Sequence, residues 1–211
     1  NGLRVDAGDG GTALKASFRD LADLTIDKNG NMFVSEPNGN RVRKITAAGA
    51  ISTYAGVGEP FFQGDGGPAT AAYLDTPWGI TVDGAGNLYI ADTGNARIRR
   101  VAANGIITTF VGDGSSIAYN VNADKSGNVY VSMDCRLVKY NSAGVAQVTY
   151  DGYPLVCQRA PEGTLATSAG FGFVDGVALD ANGNVFFVDS DYQRVAKVTI
   201  ADNKLWTHAG V

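Results

Sequence analysis

Histidine is nearly absent from this chain: His208 is the only one. A Ser–His–Asp triad would have to be built on that imidazole near the end of the sequence, a poor basis for nucleophilic catalysis. No G-x-x-x-x-G-K-[S/T], no C-x-x-C and no G-x-S-x-G accompanies it, so the common phosphate, redox and hydrolase signatures are missing. Positive charge is scarce too. Seventeen Lys and Arg against twenty-one Asp and Glu leave a net charge of −4. A general nucleic-acid binder needs a basic face to displace counterions, so that class is excluded. No run of like charges marks a tail or a membrane-surface patch. No apolar run approaches the ~18 residues of a membrane-spanning helix, and no signal-peptide pattern is expected among the residues given. The chain opens at Asn1 without Met, as expected of a mature, processed or excised form.

Glycine and short apolar stretches are abundant. The 211 residues are 45% hydrophobic, include 28 glycines and are only 18% charged. That is enough chain to bury a large core, with many tight turns between short strands. Surface-like positions are dominated by Thr, Ser, Asn, Gly and Ala, a composition similar to that of secreted proteins. A secreted or extracytoplasmic location is therefore expected.

Residues 76–114 show the organisation most clearly. They read as four strands, 78–83, 87–92, 97–102 and 106–111, joined by turns containing Gly84-Ala85-Gly86, Thr93-Gly94-Asn95 and Asn104-Gly105. The pattern occurs four times. Each copy carries Asp-x-x-Gly-Asn, starting at Asp27, Asp83, Asp124 and Asp180, and each has a third strand beginning at Arg41, Arg97, Arg136 or Arg194. Asp-x-x-Gly-Asn is the chemistry of a hairpin turn: Gly takes the positive φ and the Asp side chain caps backbone N–H groups. The alternative is a set of calcium loops. Calcium needs six or more oxygens, more than such short turns offer. Spacing between the turn glycines alternates. Gly30 to Gly86 is 56 residues, Gly86 to Gly127 is 41, and Gly127 to Gly183 is 56. A pair of blades, one with a short and one with a long connection, is the apparent unit. The long connections are 56–76 and 151–173. Residues 7–21 echo the first, with Gly8-Asp9-Gly10-Gly11 matching Gly64-Asp65-Gly66-Gly67 before an Ala-rich segment that suggests a short helical turn.

Recurring four-stranded units of this length are propeller blades. At Gly64-Asp65-Gly66-Gly67-Pro68-Ala69-Thr70-Ala71, then Gly79-Ile80, Gly86-Asn87-Leu88-Tyr89-Ile90-Ala91-Asp92 and Asn95-x-Arg97-Ile98-Arg99, the sequence resembles the NHL-repeat β-propeller family. The resemblance runs over essentially the whole chain. The third copy is three residues shorter before Arg136, and the fourth has Asp191-Tyr192-Gln193 where an Asn-containing turn is usual. The fold class implied is all-β, a single propeller domain of four NHL-type blades, at approximately 21–56, 76–112, 118–151 and 173–210. Residues 1–5 read as a spare outer strand. Such propellers commonly close with about six blades, so a fragment, a four-bladed ring and an open arc completed by another chain all remain open. Strand pairing end to end between copies, giving filaments, is one consequence.

A propeller layout places the first strand of each blade along the central channel, so Asp23, Trp78, Tyr119, Asn120 and Asp175 are candidates to ring its mouth. Asp23 and Asp175 are weak candidates for a metal site, with calcium the ion, in a manner similar to gluconolactonase propellers. The competing reading is a wet, ligand-free channel lining. The loop around Phe61 and Phe62 either packs beneath the same face or forms an exposed recognition patch, with Asn95 and Tyr192 on neighbouring turns. The recurring pairs Glu36/Arg41, Asp92/Arg97 and Asp189/Arg194, with Asp134/Arg136 the short version, read as structural clamps, because a catalytic residue would appear once. Cys135 and Cys157 are expected to form one disulfide. Amidating lyase propellers hold zinc with several His, which this chain lacks. The function expected is a non-catalytic secreted recognition or assembly module that binds protein or glycan, or copies of itself. A metal-dependent hydrolase or lyase is the alternative.

Overall fold

The computed structural model describes residues 7–133, 135–151 and 159–210. Their strands form four antiparallel sheets, each four-stranded and each ordered as in the sequence. The first holds β1 (Leu24–Ile26), β2 (Met32–Glu36), β3 (Arg41–Ile45) and β4 (Ile51–Ala55). The second holds β5 (Pro77–Val82), β6 (Leu88–Asp92), β7 (Arg97–Val101) and β8 (Ile107–Val111). The third holds β9 (Ala118–Ala123), β10 (Val129–Met133), β11 (Arg136–Tyr140) and β12 (Ala146–Asp151). The fourth holds β13 (Val174–Leu179), β14 (Val185–Asp189), β15 (Arg194–Thr199) and β16 (Lys204–Gly210). These are four propeller blades, and the chain is all-β. It divides between Ile117 and Ala118 into two compact units of two blades each.

The repeated turn explains the inner hairpin of every blade. Asp27 Oδ1 accepts the N–H groups of Asn29 and Asn31, and Oδ2 accepts the Asn31 amide. Asp83, Asp124 and Asp180 make the same three contacts. The loop thus carries its own cap, with Gly30 at φ 77° where a side chain would be strained. Register follows, as Leu24 faces Val34 and Ile26 faces Met32.

A bulge recurs between the third and fourth strands of each blade. In three blades it is followed by a glycine in the left-handed region: Gly56, Gly112 and Gly210. A Cβ at Gly56 would sit 2.8 Å from the Arg41 Cα, so the backbones there meet too closely for any side chain.

Each long connection lies along the outer strand of the blade that follows it. Gly66 N donates to Ile107 O, Ile107 N to Gly67 O, and Ala69 N to Gly105 O. Gly10, Ala13 and Ile51 repeat the pattern on β4, and Gly163, Ala166 and Leu205 repeat it on β16. Short 3-10 turns follow at Ala13–Lys15, Ala69–Ala71 and Ala166–Ser168. The first two match the helical turns expected from the Ala-rich segments; the third, at Ala166-Thr167-Ser168-Ala169, was not expected. This strap occupies the start of an edge that would otherwise be open for pairing.

Each unit has its own core. In the first, Phe33, Val42 and Ala55 of one blade pack on Ile80, Leu88 and Ile90 of the next. In the second, Tyr130, Leu137 and Tyr150 pack on Val177, Val185 and Phe187. Cys135 lies in the turn between β10 and β11. Cys157, Asp134 and the strand expected at residues 1–5 lie outside the described residues.

Candidate functional site

The loop end of the second blade brings together four of the expected binding residues. Pro77 pairs with Asp92, which sets Trp78 beside the 3-10 turn Thr93–Asn95. Asn95 reaches both ways from that turn: its side-chain amide donates to Phe61 O at 2.8 Å and to Asp92 Oδ2 at 2.9 Å. Phe62 lies with its ring centroid 4.0 Å from the Arg97 guanidinium and 4.9 Å from that of Arg99. A cation over an aromatic face is attractive, and more so when partly desolvated. The two phenylalanines therefore divide the roles expected of the loop. Phe62, still 36% exposed, stacks on the two arginines and anchors it. Phe61 touches Tyr73 edge-on at 6.1 Å and remains 61% exposed, as does 45% of Trp78.

Beneath this surface is a clamp. Asp92 is fully buried and accepts the Asp75 N–H at 2.7 Å, the Asn95 amide and Arg99 Nη1 at 3.1 Å. Burial pushes its carboxyl above the usual carboxylate range, opposed by these donors. Glu36 takes the Arg19 N–H and Arg41 Nε, and Asp189 takes the Gly172 N–H and Arg194 Nε. The carboxylate thus fixes the segment entering the first, second and fourth blades. The Asp92 partner differs from the spacing-based expectation. It bonds Arg99, while Arg97 donates to Asn95 O and Asp113 O and stacks on Phe62. The physical reason is burial: Arg99 points into the closed strap side, and Arg97 lies toward the loop end.

The sequence reading missed a second clamp. Asp65 bridges Arg99 at 2.7 Å and accepts the Thr109 hydroxyl at 2.6 Å. Asp9 does the same with Arg43 and Thr53. In the fourth blade Glu162 reaches Thr207 and Arg194. There Ala196 replaces the inner arginine, and the longer acid meets Arg194 instead. Burial raises the Asp65 carboxyl, but the Thr109 and Arg99 contacts hold it below the usual range. A signal was available: Asp9 to Arg43 and Asp65 to Arg99 both span 34 positions.

Asp23 is committed in a similar way. Its carboxylate accepts the Leu24 N–H at 2.8 Å and the Ile80 N–H at 2.9 Å, stitching the first blade to the second. Burial pushes its carboxyl up. Ser35 accepts from Asp23 N and donates to Trp78 O across the same seam. In the second unit Tyr119 meets Phe173 edge-on at 4.6 Å. Asn120 N donates to Ser132 Oγ, Asp175 is exposed, and the Arg194 guanidinium lies 5.9 Å from the Tyr192 ring. The expected residues thus form two groups, one in each unit. Among the described residues no three His, Cys, Asp or Glu side chains cluster as a metal site would require.

Comparison with known proteins follows the same lines. Residues 58–141 match the family described as the Teneurin NHL domain. Human teneurin-4 is 34% identical over 105 residues, covering 44% of this chain and 4% of that protein. Mouse teneurin-3 is 25% identical over 221 residues, covering 86% of this chain and 8% of that protein. The chain therefore spans a small fraction of the length of the curated relatives it matches. Among solved structures, one of the nidogen/laminin complex superposes with a TM-score of 0.64 at 15% identity, over 90% of this chain and 67% of that one. Virginiamycin B lyase from Staphylococcus aureus gives 0.63 at 12% identity, over 89% of this chain and 55% of that one. At such identities the likeness is one of fold.

Proposed function

For a chain built of NHL repeats and similar to the teneurin NHL domain over residues 58–141, we propose a non-catalytic protein-recognition module. It engages its partner through the loop end of the second blade. One observation supports this most strongly: exposed Phe61 sits on a frame fixed by Asn95 below and by Phe62 stacked on Arg97 beside it. An aromatic anchor held rigid before binding loses little entropy on association, the pattern of interface hot spots. Trp78 extends the anchor. Asp23, one of the two carboxylates that a hydrolase or lyase would use here, is engaged by the backbone N–H groups of Leu24 and Ile80. The fold alone decides nothing, since its neighbours include both a protein complex and a lyase.

The module is read as secreted or extracytoplasmic, with a Cys135–Cys157 bridge suited to an oxidising compartment. The second unit, through Tyr119, Asn120, Asp175 and Tyr192, is a secondary contact surface on the same reading.

The test compares the wild-type chain with F61S/W78S on arrays of extracellular proteins and of glycans. Protein ligands that bind the wild type and lose at least about 2 kcal/mol with the double variant support the reading, that being the hot-spot scale. Protein binding that survives both substitutions, or binding to glycans alone, overturns it.

A further inference from the structure

Three of the four blades carry a strap on their outer strand, and the third does not. The connection into it is only residues 112–117, between the end of β8 and the start of β9, too short to form one. The straps show what such an edge takes. Each runs antiparallel to the start of the fourth strand, bridging Thr12 to Ala50, Pro68 to Ile106 and Leu165 to Lys204. Each also delivers one carboxylate to a threonine farther along that strand: Asp9 to Thr53, Asp65 to Thr109 and Glu162 to Thr207.

The third blade keeps the receiving half of this arrangement. Thr149 on β12 faces Val138 as Thr53 faces Arg43 and Thr109 faces Arg99. Ala146, Gln147 and Thr149 are exposed. Among the described residues no strap bridges Val145, the counterpart of Ala50. The side-chain amide of Gln147, at the bulge of β12, rests on the carbonyls of Val145 and Ala146 at 3.3 and 3.5 Å, long contacts that an incoming strand would replace. A bulge with a polar side chain blunts an edge against indiscriminate pairing. The turn Ala166–Ser168 touches β12, but Ala69–Ala71 touches β4 in the same way and β4 still carries its strap. That contact leaves the edge accessible.

The acid that suits this edge follows from the third strand. Val138 stands where the first two blades have the buried Arg43 and Arg99. The fourth blade has the same deficit at Ala196. It meets it with the longer acid, Glu162, which lies 3.6 Å from Arg194 at the head of β15. Arg136 heads β11 at the same position and is exposed.

We propose that β12 binds an extended segment of a partner protein as its missing strap. The segment carries a glutamate followed by glycine and small residues, in the pattern of Pro161-Glu162-Gly163-Thr164-Leu165-Ala166. Main-chain bonds to the start of β12 supply affinity, and the carboxylate on Thr149 and Arg136 sets register and selects against neutral strands.

The probe is the chain's own strap as a labelled synthetic peptide, residues 159–168, titrated with the full chain by fluorescence anisotropy. Saturable binding with a Kd below about 1 mM is expected. The same peptide with E162Q should bind at least about tenfold more weakly, the loss of one charge-assisted bond. T149V in the chain should weaken the unmodified peptide by a similar factor. A146P should abolish binding, because it removes the N–H that corresponds to Ile51 N, the donor to Gly11 O in the first blade. If A146P disturbs the blade by circular dichroism, T149V carries the test alone. T53V and T109V, on edges already strapped, should leave binding unchanged. No binding up to about 1 mM overturns the proposal. So do equal affinities of the Glu and Gln peptides, binding indifferent to T149V, or an equal loss in T53V or T109V, which would place the peptide on an edge that already has a strap.

Discussion

Replacing Asp92 by Ala tests the clamp beneath the recognition loop. The carboxylate and Arg99 are both fully buried, and Asp92 also holds the Asp75 N–H and the Asn95 amide. Removing one member of a buried pair costs about 3–5 kcal/mol, because the other charge is stranded. Asp65 still offers Arg99 a second carboxylate at 2.7 Å, so the lower end, about 3 kcal/mol, is expected. That is a large part of the roughly 5–15 kcal/mol that stabilises a domain. With a urea m-value of about 2 kcal/mol/M, the midpoint should fall by about 1.5 M. The two tryptophans allow the effect to be placed, since Trp78 belongs to the first unit and Trp206 to the second. A W206F background reports the first unit by fluorescence, and a W78F background reports the second. Asp92→Ala should shift the Trp78 transition and leave the Trp206 transition in place. Asp92→Asn retains an acceptor and should cost less, about 1–2 kcal/mol. A shift under about 0.5 M, or equal shifts from both reporters, would refute the clamp as described.

Gly64→Ala should be far worse than Gly66→Ala in the same urea assay. Both have positive φ, but a Cβ at Gly64 would meet the Ala72 Cα at 2.6 Å, whereas at Gly66 nothing lies within 4 Å. About 3 kcal/mol or more against about 1 kcal/mol is expected, and equal costs would contradict the strap geometry. Acid should destabilise the fold. At Asp9, Asp27 and Asp65 burial raises the carboxyl, but hydrogen bonds from neighbouring Thr, Asn and Arg side chains hold it below its ordinary value of 3.8. Their contribution is complete above that value and is lost as pH falls through the folded one. Asp23 and Asp92, raised by burial, act in the opposite sense and offset part of the loss. The urea midpoint should therefore fall below about pH 4, and a midpoint that rises there would show the raised pair dominating. Reduction should add about 2 Da to the intact mass if Cys135 and Cys157 are bridged; an unchanged mass removes the bridge.

Much of the fold was readable because its turns carry their own chemistry. Asp27, Asp83, Asp124 and Asp180 each cap a hairpin locally, so the four inner turns and the strands on either side could be placed from sequence to within a residue or so. The partner of Asp92 was not readable. Local spacing points to Arg97, but selection between Arg97 and Arg99 is made by which side chain faces the closed strap, a tertiary fact. The roles of Phe61 and Phe62 were undecided for the same reason. Two adjacent residues in an irregular loop carry no periodicity, and only the position of Arg97 under one ring sets the anchoring Phe62 apart from the more exposed Phe61. Asp23 read as a channel-mouth acid because it stood out among its repeat equivalents. Its contact with Ile80 N lies 57 positions away and leaves no local trace. The Asp65 clamp, by contrast, recurs with fixed separations in two copies and was available to a closer reading.

The central claim is that this chain's carboxylates hold the blades together and leave recognition to the surface. Thermal unfolding of the wild type in EDTA and in rising calcium addresses it most directly, since a bound ion stabilises by mass action. The expected result is one melting temperature throughout, unchanged in D23N and D175N titrated the same way. A melting temperature that climbs with calcium in the wild type and stays flat in either variant would contradict the claim and restore the metal-dependent reading.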